Sequence, residues 1–247
     1  MLSYRKMLWH KRQHPTLHER VLSHRKDNTL RYRIMDIDIS AQCTYADCAA
    51  RIDKHIPGVT VRLPDLFCEH YKKHNVLFWK LFLWKWLPLC TNVTILYTSP
   101  ELMPEIYVDV STHEPYICAV MMYIKKRNHV YGRVLCSNCF VGSKMIQYMK
   151  DTYRDSPYKY ISLHSDPGVV SLYQKHGWSL TDMGYIDMFG VKHPFMYISM
   201  SDTYQPSPSD IEEDDFLCET IQPFDTWFFL AIATIVVKIV WSICIHP

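Results

Sequence analysis

The sequence predicts a mixed α/β domain: a mostly antiparallel central sheet flanked by helices, followed by one C-terminal transmembrane helix. Three observations carry this. Val130–Trp178 reads strand, tight turn, helix, strand, helix. A meander of extended runs leads into it. Near the end, the nineteen residues Trp227–Ile245 hold a single charge, Lys238.

The 247 residues suffice for one domain with a sizeable core plus appendages. A hydrophobic content of 48% against 21% charged predicts that most of the chain folds. The formal net charge of +2 gives no overall push toward nucleic acid. The charge is unevenly spread: residues 1–33 hold nine Lys/Arg against two acids, and residues 201–226 hold eight acids with no Lys/Arg. Nine cysteines form no disulfide-like framework and no leader sequence is recognisable, which points to a reducing, cytosol-facing compartment.

In chain order, residues 1–27 form a basic, His-rich arm, read as loosely held, with an amphipathic helix as the alternative. The domain then spans residues 28–200. Leu30–Ser40 reads as a strand, with Tyr32, Ile34, Ile37 and Ile39 set against Arg31, Arg33, Asp36 and Asp38. Tyr45–Ile56 reads as a helix stopped by Pro57-Gly58. A second helix is expected over Pro64–His74, with proline in its first turn and Leu66, Phe67 and Tyr71 inward. Val76–Leu89 (VLFWKLFLWKWLPL) is aromatic-rich, with Lys80 and Lys85. Two readings stay open for it: a buried element under the sheet, or a helix for a membrane surface or protein partner with snorkelling lysines.

Strands are expected at Asn92–Thr98, Glu105–Ser111, Pro115–Ile124 and His129–Asn138, the last three as a meander with short polar connections. The helix after Gly142 places Met145, Ile146, Met149 and Tyr153 at helical spacing, with Ser143 as its expected N-cap. Tyr160–Leu163 is the next strand. Asp166-Pro167 opens a short helix that Gly177 stops. Tyr185–Phe189 and Pro194–Met200 read as a closing hairpin around Gly190.

Two segments carry a family resemblance. Val141-Gly142-Ser143-Lys144-Met145-Ile146 is similar to the end of a Gln/Arg-x-x-Gly-x-Gly/Ala loop running into its helix. Asp166-x-x-Val169-x-x-Leu172-Tyr173-Gln174-Lys175-His176-Gly177-Trp178 is similar to an Asn-x-x-Ala-x-x-Leu-Tyr-x-Lys-x-Gly-Phe signature. Both belong to the GCN5-related N-acetyltransferases (acyl-CoA N-acyltransferases). The chain resembles a divergent member, because the family's Arg/Gln falls at Ser137 and its first Gly at Phe140.

The resemblance implies acetyl-CoA as cofactor and an amine, on a small molecule or protein, as acceptor. It implies a pyrophosphate cradle at Val141, Gly142, Ser143 and Lys144, and a pantetheine edge at Val134, Leu135 and Cys136. Asp166 stands where an Asn touches the cofactor, and Tyr173 where a tyrosine protonates the departing thiolate. A turn that opens a helix suits an anion, since its N–H groups and the helix dipole face the ligand. Glu105, Asp109, His129 and His164 are candidate bases. Cys136-x-x-Cys139 has metal-ligand spacing but no second pair, and His70-x3-His74 lacks a metalloprotease glutamate, so no metal is expected.

Residues 201–226 read as an acidic flexible linker. Residues 227–245 would give roughly 28 Å of helix, enough to span a bilayer as a tail anchor with the domain on the cytosolic side. Trp227 and Trp241 suit interfacial positions. Two function classes follow: a membrane-tethered acetyltransferase, or the same fold without catalysis as a tail-anchored binding protein. A nucleic-acid binder using residues 1–33 is the weakest reading, for lack of a recognition motif.

Overall fold

Thr16 starts the first helix, α1 (Leu17–Lys26), by a capping box: its hydroxyl accepts from the Glu19 N–H while the Glu19 carboxylate accepts from the Thr16 N–H. The expected loose arm is therefore, from Thr16 to Lys26, a capped helix with Val21 fully buried. The computed structural model describes residues 15–42, 44–70, 76–138, 140–188, 191–201 and 204–209. The chain divides into two compact units at Ile161/Ser162.

In the first unit four strands pair antiparallel in the order β1 (Arg33–Asp38), β2 (Asn92–Thr98), β3 (Tyr116–Lys125) and β4 (His129–Ser137). Ile37 and Ile39 of the first run point into the core, but Met35 shares their face rather than Ile34. The apolar alternation of the sequence slips by one residue there, and strand period decides the face. The same face carries Val93, Ile95, Val120 and Met122. It is covered by α2 (Tyr45–His55), α3 (Val59–His70) and α4 (Val76–Trp86), which bury Cys48, Ile52, Val59, Leu63, Leu66 and Leu83. Each such Leu or Ile contributes about 1.5–3 kcal/mol.

Helix α3 starts five residues before the expected Pro64. Gly58 turns the chain at φ +70°, and Asp53 of α2 caps the new helix by accepting from the Thr60 N–H and hydroxyl. Pro64 thus lies inside the helix and is buried. The Val76–Leu89 stretch divides between its two readings. Leu83, Trp86 and Leu87 are buried, whereas Trp84 is 61% exposed and Leu89 49%.

No strand forms over Glu105–Ser111. Pro104–Ile106 is a 3-10 turn, followed by turns in which Asp109 takes φ +61°. The backbone bonds locally, Tyr107 N–H to Pro104 O and Val110 N–H to Tyr107 O, so no ladder is available. The Tyr107 hydroxyl donates to Thr98 O at 3.2 Å and accepts from the Tyr116 N–H at 3.0 Å. Burial pushes that phenol up to about 12. The folded state favours the neutral form, so this contribution is complete below the unfolded pKa of about 10 and is lost as pH rises through 12. Thermal melts of wild type and Tyr107→Phe between pH 8 and 12 should converge as the pH rises.

The other sheet face holds helix α5 (Gly142–Tyr153), with Met145, Ile146, Met149 and Tyr153 buried at the spacing the sequence predicts. Between helix and sheet lies a polar network. The Tyr153 hydroxyl donates to Tyr123 Oη at 2.9 Å, and Tyr123 donates to the Asp36 carboxylate at 2.8 Å. Thr94 Oγ1 at 3.0 Å and Asn92 Nδ2 at 3.3 Å also donate to Asp36. Burial, then the Asp36 charge, drives the Tyr123 phenol well above its ordinary range.

Strand β5 (Tyr160–His164) begins in the first unit, where Tyr160 stacks on His129 at 4.5 Å. In the second unit, the Ser165 N–H that follows it donates to Pro194 O. That unit holds a 3-10 turn (Pro167–Val169), α6 (Val170–Lys175), and the antiparallel hairpin β6 (Ser179–Met188) and β7 (Val191–Ser199). The hairpin is the one expected, with both strands starting earlier; Phe189 and Gly190 lie outside the described residues.

Among the described residues no helix is long and apolar enough to cross a membrane. The expected spanning helix Trp227–Ile245 lies outside the described residues, as does the acidic stretch beyond residue 209.

Candidate functional site: the turn between the fourth strand and its helix

The pairing of β4 slips where Met122 faces Val134 but Tyr123 faces Gly132, leaving Arg133 as an extra residue. Such a bulge bends a strand and interrupts its ladder. The Arg133 guanidinium lies 4.0 Å from the centroid of the Trp86 ring, a cation–π contact. Directly after the bulge come Val134, Leu135 and Cys136. Val134 packs on the core, Leu135 is half-buried opposite Met121, and Cys136 is fully buried. Burial drives the Cys136 thiol up. Its side chain is thus core filling.

Beyond β4 the chain turns tightly. The Asn138 N–H donates to Cys118 O at 2.7 Å, and the Val141 N–H donates to Ser137 Oγ at 3.1 Å. The expected N-cap, Ser143, is inside the helix: α5 begins at Gly142 with Val141 at the cap position and no side-chain cap. Ser137 supplies the nearby acceptor from across the turn instead. Phe140 adopts φ +56° and is 78% exposed. That left-handed backbone is what a glycine would supply at no cost. Phe140 therefore adopts a backbone that favours glycine although it carries a side chain. Gly142 and Ser143 present the first N–H groups of the helix, which have no acceptor within it. Lys144 is exposed beside them.

In the second unit, the Asp166 side chain caps the 3-10 turn by accepting from the Gly168 N–H at 2.7 Å. Tyr173 is 5% exposed, with its ring edge-on to Trp178 at 5.4 Å. Gly177 ends the segment at φ +82°, as the sequence predicts.

The candidate bases scatter. Glu105 is exposed and ion-paired with Arg31 at 2.5 Å; its own backbone N–H and Arg31 hold it below the usual carboxylate range. Asp109 sits in an exposed turn. His129 is buried in its stack on Tyr160, and His164 meets Phe195 edge-on at 5.3 Å. Cys139 and His74 lie outside the described residues, and among those described no cluster of three His, Cys, Asp or Glu groups is placed to hold a metal. The Asp36 network and Arg133 escape sequence reasoning altogether. Asp36 reads as the polar member of an alternating strand, and its partner Tyr123 is 87 residues away.

No family model and no curated protein matches this chain. Solved structures do. The catalytic domain of Tetrahymena GCN5 histone acetyltransferase in complex with coenzyme A aligns with TM-score 0.42 and 10% identity, over 70% of this chain and 96% of that one. An acyl-CoA N-acyltransferase from Pseudomonas aeruginosa gives 0.40 and 12%, over 68% and 99%. An aminoglycoside 6'-N-acetyltransferase complexed with coenzyme A gives 0.42 and 11%, over 63% of this chain and 97% of its own. At such identities and TM-scores these likenesses decide neither the fold nor the activity of this chain.

Proposed function

We propose that this chain binds acetyl-CoA at the turn between β4 and α5 and transfers the acetyl group to an amine, while tethered to a membrane by Trp227–Ile245. One observation supports the reading: at the position of the family's glycine, Phe140 holds a left-handed backbone, which glycine adopts at no cost. In this reading the N–H groups of Gly142 and Ser143, with the start of α5 and Lys144, hold the diphosphate. The backbone of Val134–Cys136, just past the bulge, receives the pantetheine arm. Bound acetyl-CoA supplies an activated thioester carbonyl for attack by the neutral amine, and the thiolate that leaves must take up a proton. Tyr173 carries over from the resemblance as donor of that proton, and Asp166 as a neighbour of the cofactor. The tether rests on the length and composition of residues 227–245, with the domain on the cytosolic side.

Calorimetric titration of the full chain in detergent tests the reading. Micromolar binding of acetyl-CoA, about −8 kcal/mol, is expected, and no binding by a folded chain would refute it. Thiol release with a panel of amines should then follow, and Tyr173→Phe should slow turnover by about 100-fold with little change in acetyl-CoA affinity. An unchanged turnover number would remove Tyr173 from the chemistry.

The second reading is an acetyltransferase-fold binding or scaffold protein. It is favoured by Ser137 in place of the loop Arg/Gln and by Tyr173 being buried against Trp178. Its contact surface would be the outer side of Val76–Leu89, where Trp84 and Leu89 are exposed.

A further inference from the structure

Helix α1 lies outside both signature segments, yet it reaches the turn. Three contacts fix it. Val21 is fully buried. Arg20 Nη1 donates to Ile106 O at 3.3 Å and to Val108 O at 2.5 Å. The His18 ring hydrogen-bonds to the Tyr116 hydroxyl. Near the end of the helix, Arg25 Nη2 donates to Phe140 O at 3.5 Å, and its guanidinium carbon stands 5.8 Å from the centroid of the Phe140 ring. Ser137, at the family's Arg/Gln position, is a short hydroxyl already engaged with the Val141 N–H and Asn138 O. It has no charge to offer an anion.

We propose that Arg25 supplies, from the N-terminal helix, the cation that the loop lacks, pairing with the diphosphate of a CoA-type ligand seated on the turn. This rests on the CoA-binding reading above. A guanidinium suits the role because its planar fork matches two phosphate oxygens and keeps its charge at any relevant pH. The present bond to Phe140 O is at the long limit for a hydrogen bond, and the side chain is exposed. Arg25 therefore loses little by re-aiming at a phosphate, where a charge-assisted bond is stronger than the one it gives up. The docking of α1 keeps the search short.

The test uses the full chain in nonionic detergent, as wild type, Arg25→Gln, Arg25→Glu and Arg25→Lys. Affinity is measured for acetyl-CoA by calorimetry and for S-acetylpantetheine, which lacks the diphosphate, by ligand-observed NMR. Ligand-free thermal midpoints control for folding. Arg25→Gln should bind acetyl-CoA about tenfold more weakly and Arg25→Glu about 100-fold. Arg25→Lys, which keeps the charge but not the fork, should fall between wild type and Arg25→Gln, and S-acetylpantetheine should bind all four chains alike. Wild-type affinity for acetyl-CoA in Arg25→Gln and Arg25→Glu would overturn the proposal while leaving the CoA reading intact. An equal loss for both ligands would also overturn it, making Arg25 a prop for the turn. Failure of the wild type to bind acetyl-CoA would instead overturn the underlying reading, and the proposal with it.

Discussion

Replacing Gly142 with glutamate should abolish acetyl-CoA binding and leave the chain folded. A Cβ built on Gly142 meets Ser137 Cβ at 3.6 Å and Ser137 Oγ at 3.8 Å, ordinary contact distances, and the residue needs no left-handed backbone. A Cβ therefore fits without moving the turn, while the burial of Gly142 means that a longer side chain must turn outward past it. Glycine is also the poorer helix former, and a carboxylate in the first turn favours the helix dipole. The same carboxylate occupies the positive end of α5 and repels the diphosphate. The expected result is at least a 100-fold loss of acetyl-CoA affinity by calorimetry, in a chain whose ligand-free melt is still a single cooperative transition. Gly142→Ala isolates charge from bulk: its affinity should stay close to wild type. Binding that survives Gly142→Glu would place the ligand elsewhere.

The second large effect concerns stability. Asp36→Ala removes the acceptor for three donors, the Tyr123 hydroxyl, Thr94 Oγ1 and Asn92 Nδ2. Tyr123 and Thr94 are fully buried and Asn92 is 2% exposed, so water cannot readily replace the carboxylate. Hydrogen bonds to a charged group contribute about 1.5–3 kcal/mol each, and a stranded buried donor costs about as much. The network shares one acceptor, so the losses will not add in full. A net destabilisation of about 3 kcal/mol is expected, or roughly 6–12 °C in thermal midpoint for a chain of this size. Asp36→Asn should recover part of it, because an amide oxygen still accepts. A midpoint within a degree of wild type for Asp36→Ala would show that the network contributes nothing net.

Much of the fold was legible in the sequence, wherever one local rule acted alone. Asn92–Thr98 is a strand from end to end, with every residue buried, because a β-branched apolar run bounded by turn residues has no better choice. Helix α5 follows its apolar spacing, and Gly177 stops its segment at φ +82°. The stretch 105–111 misled because alternation by itself does not make a strand: a partner must accept the ladder, and here local turns and the Tyr107 hydroxyl took the backbone groups. Pro64 misled for a related reason. Its preference for a first turn was overridden by the burial of Val59 and Leu63 and by the Asp53 cap.

The candidate site divides in the same way. The turn with its helix and, in the second unit, the short helix stopped by Gly177 are each local in sequence and were legible as elements. Three features were decided by tertiary structure alone. Phe140 takes a glycine's backbone, Arg133 is aimed at Trp86 by a strand bulge, and Arg25 stands on a turn 115 residues away. Each depends on which distant segment is brought alongside, and no residue's identity or spacing encodes that. What the sequence determined unaided is most of the order of elements, with one strand too many at 105–111 and the first helix read as a loose arm, and the chemistry available along them. Which charges and hydroxyls share one place follows only when burial of the apolar faces forces the helices onto the sheet.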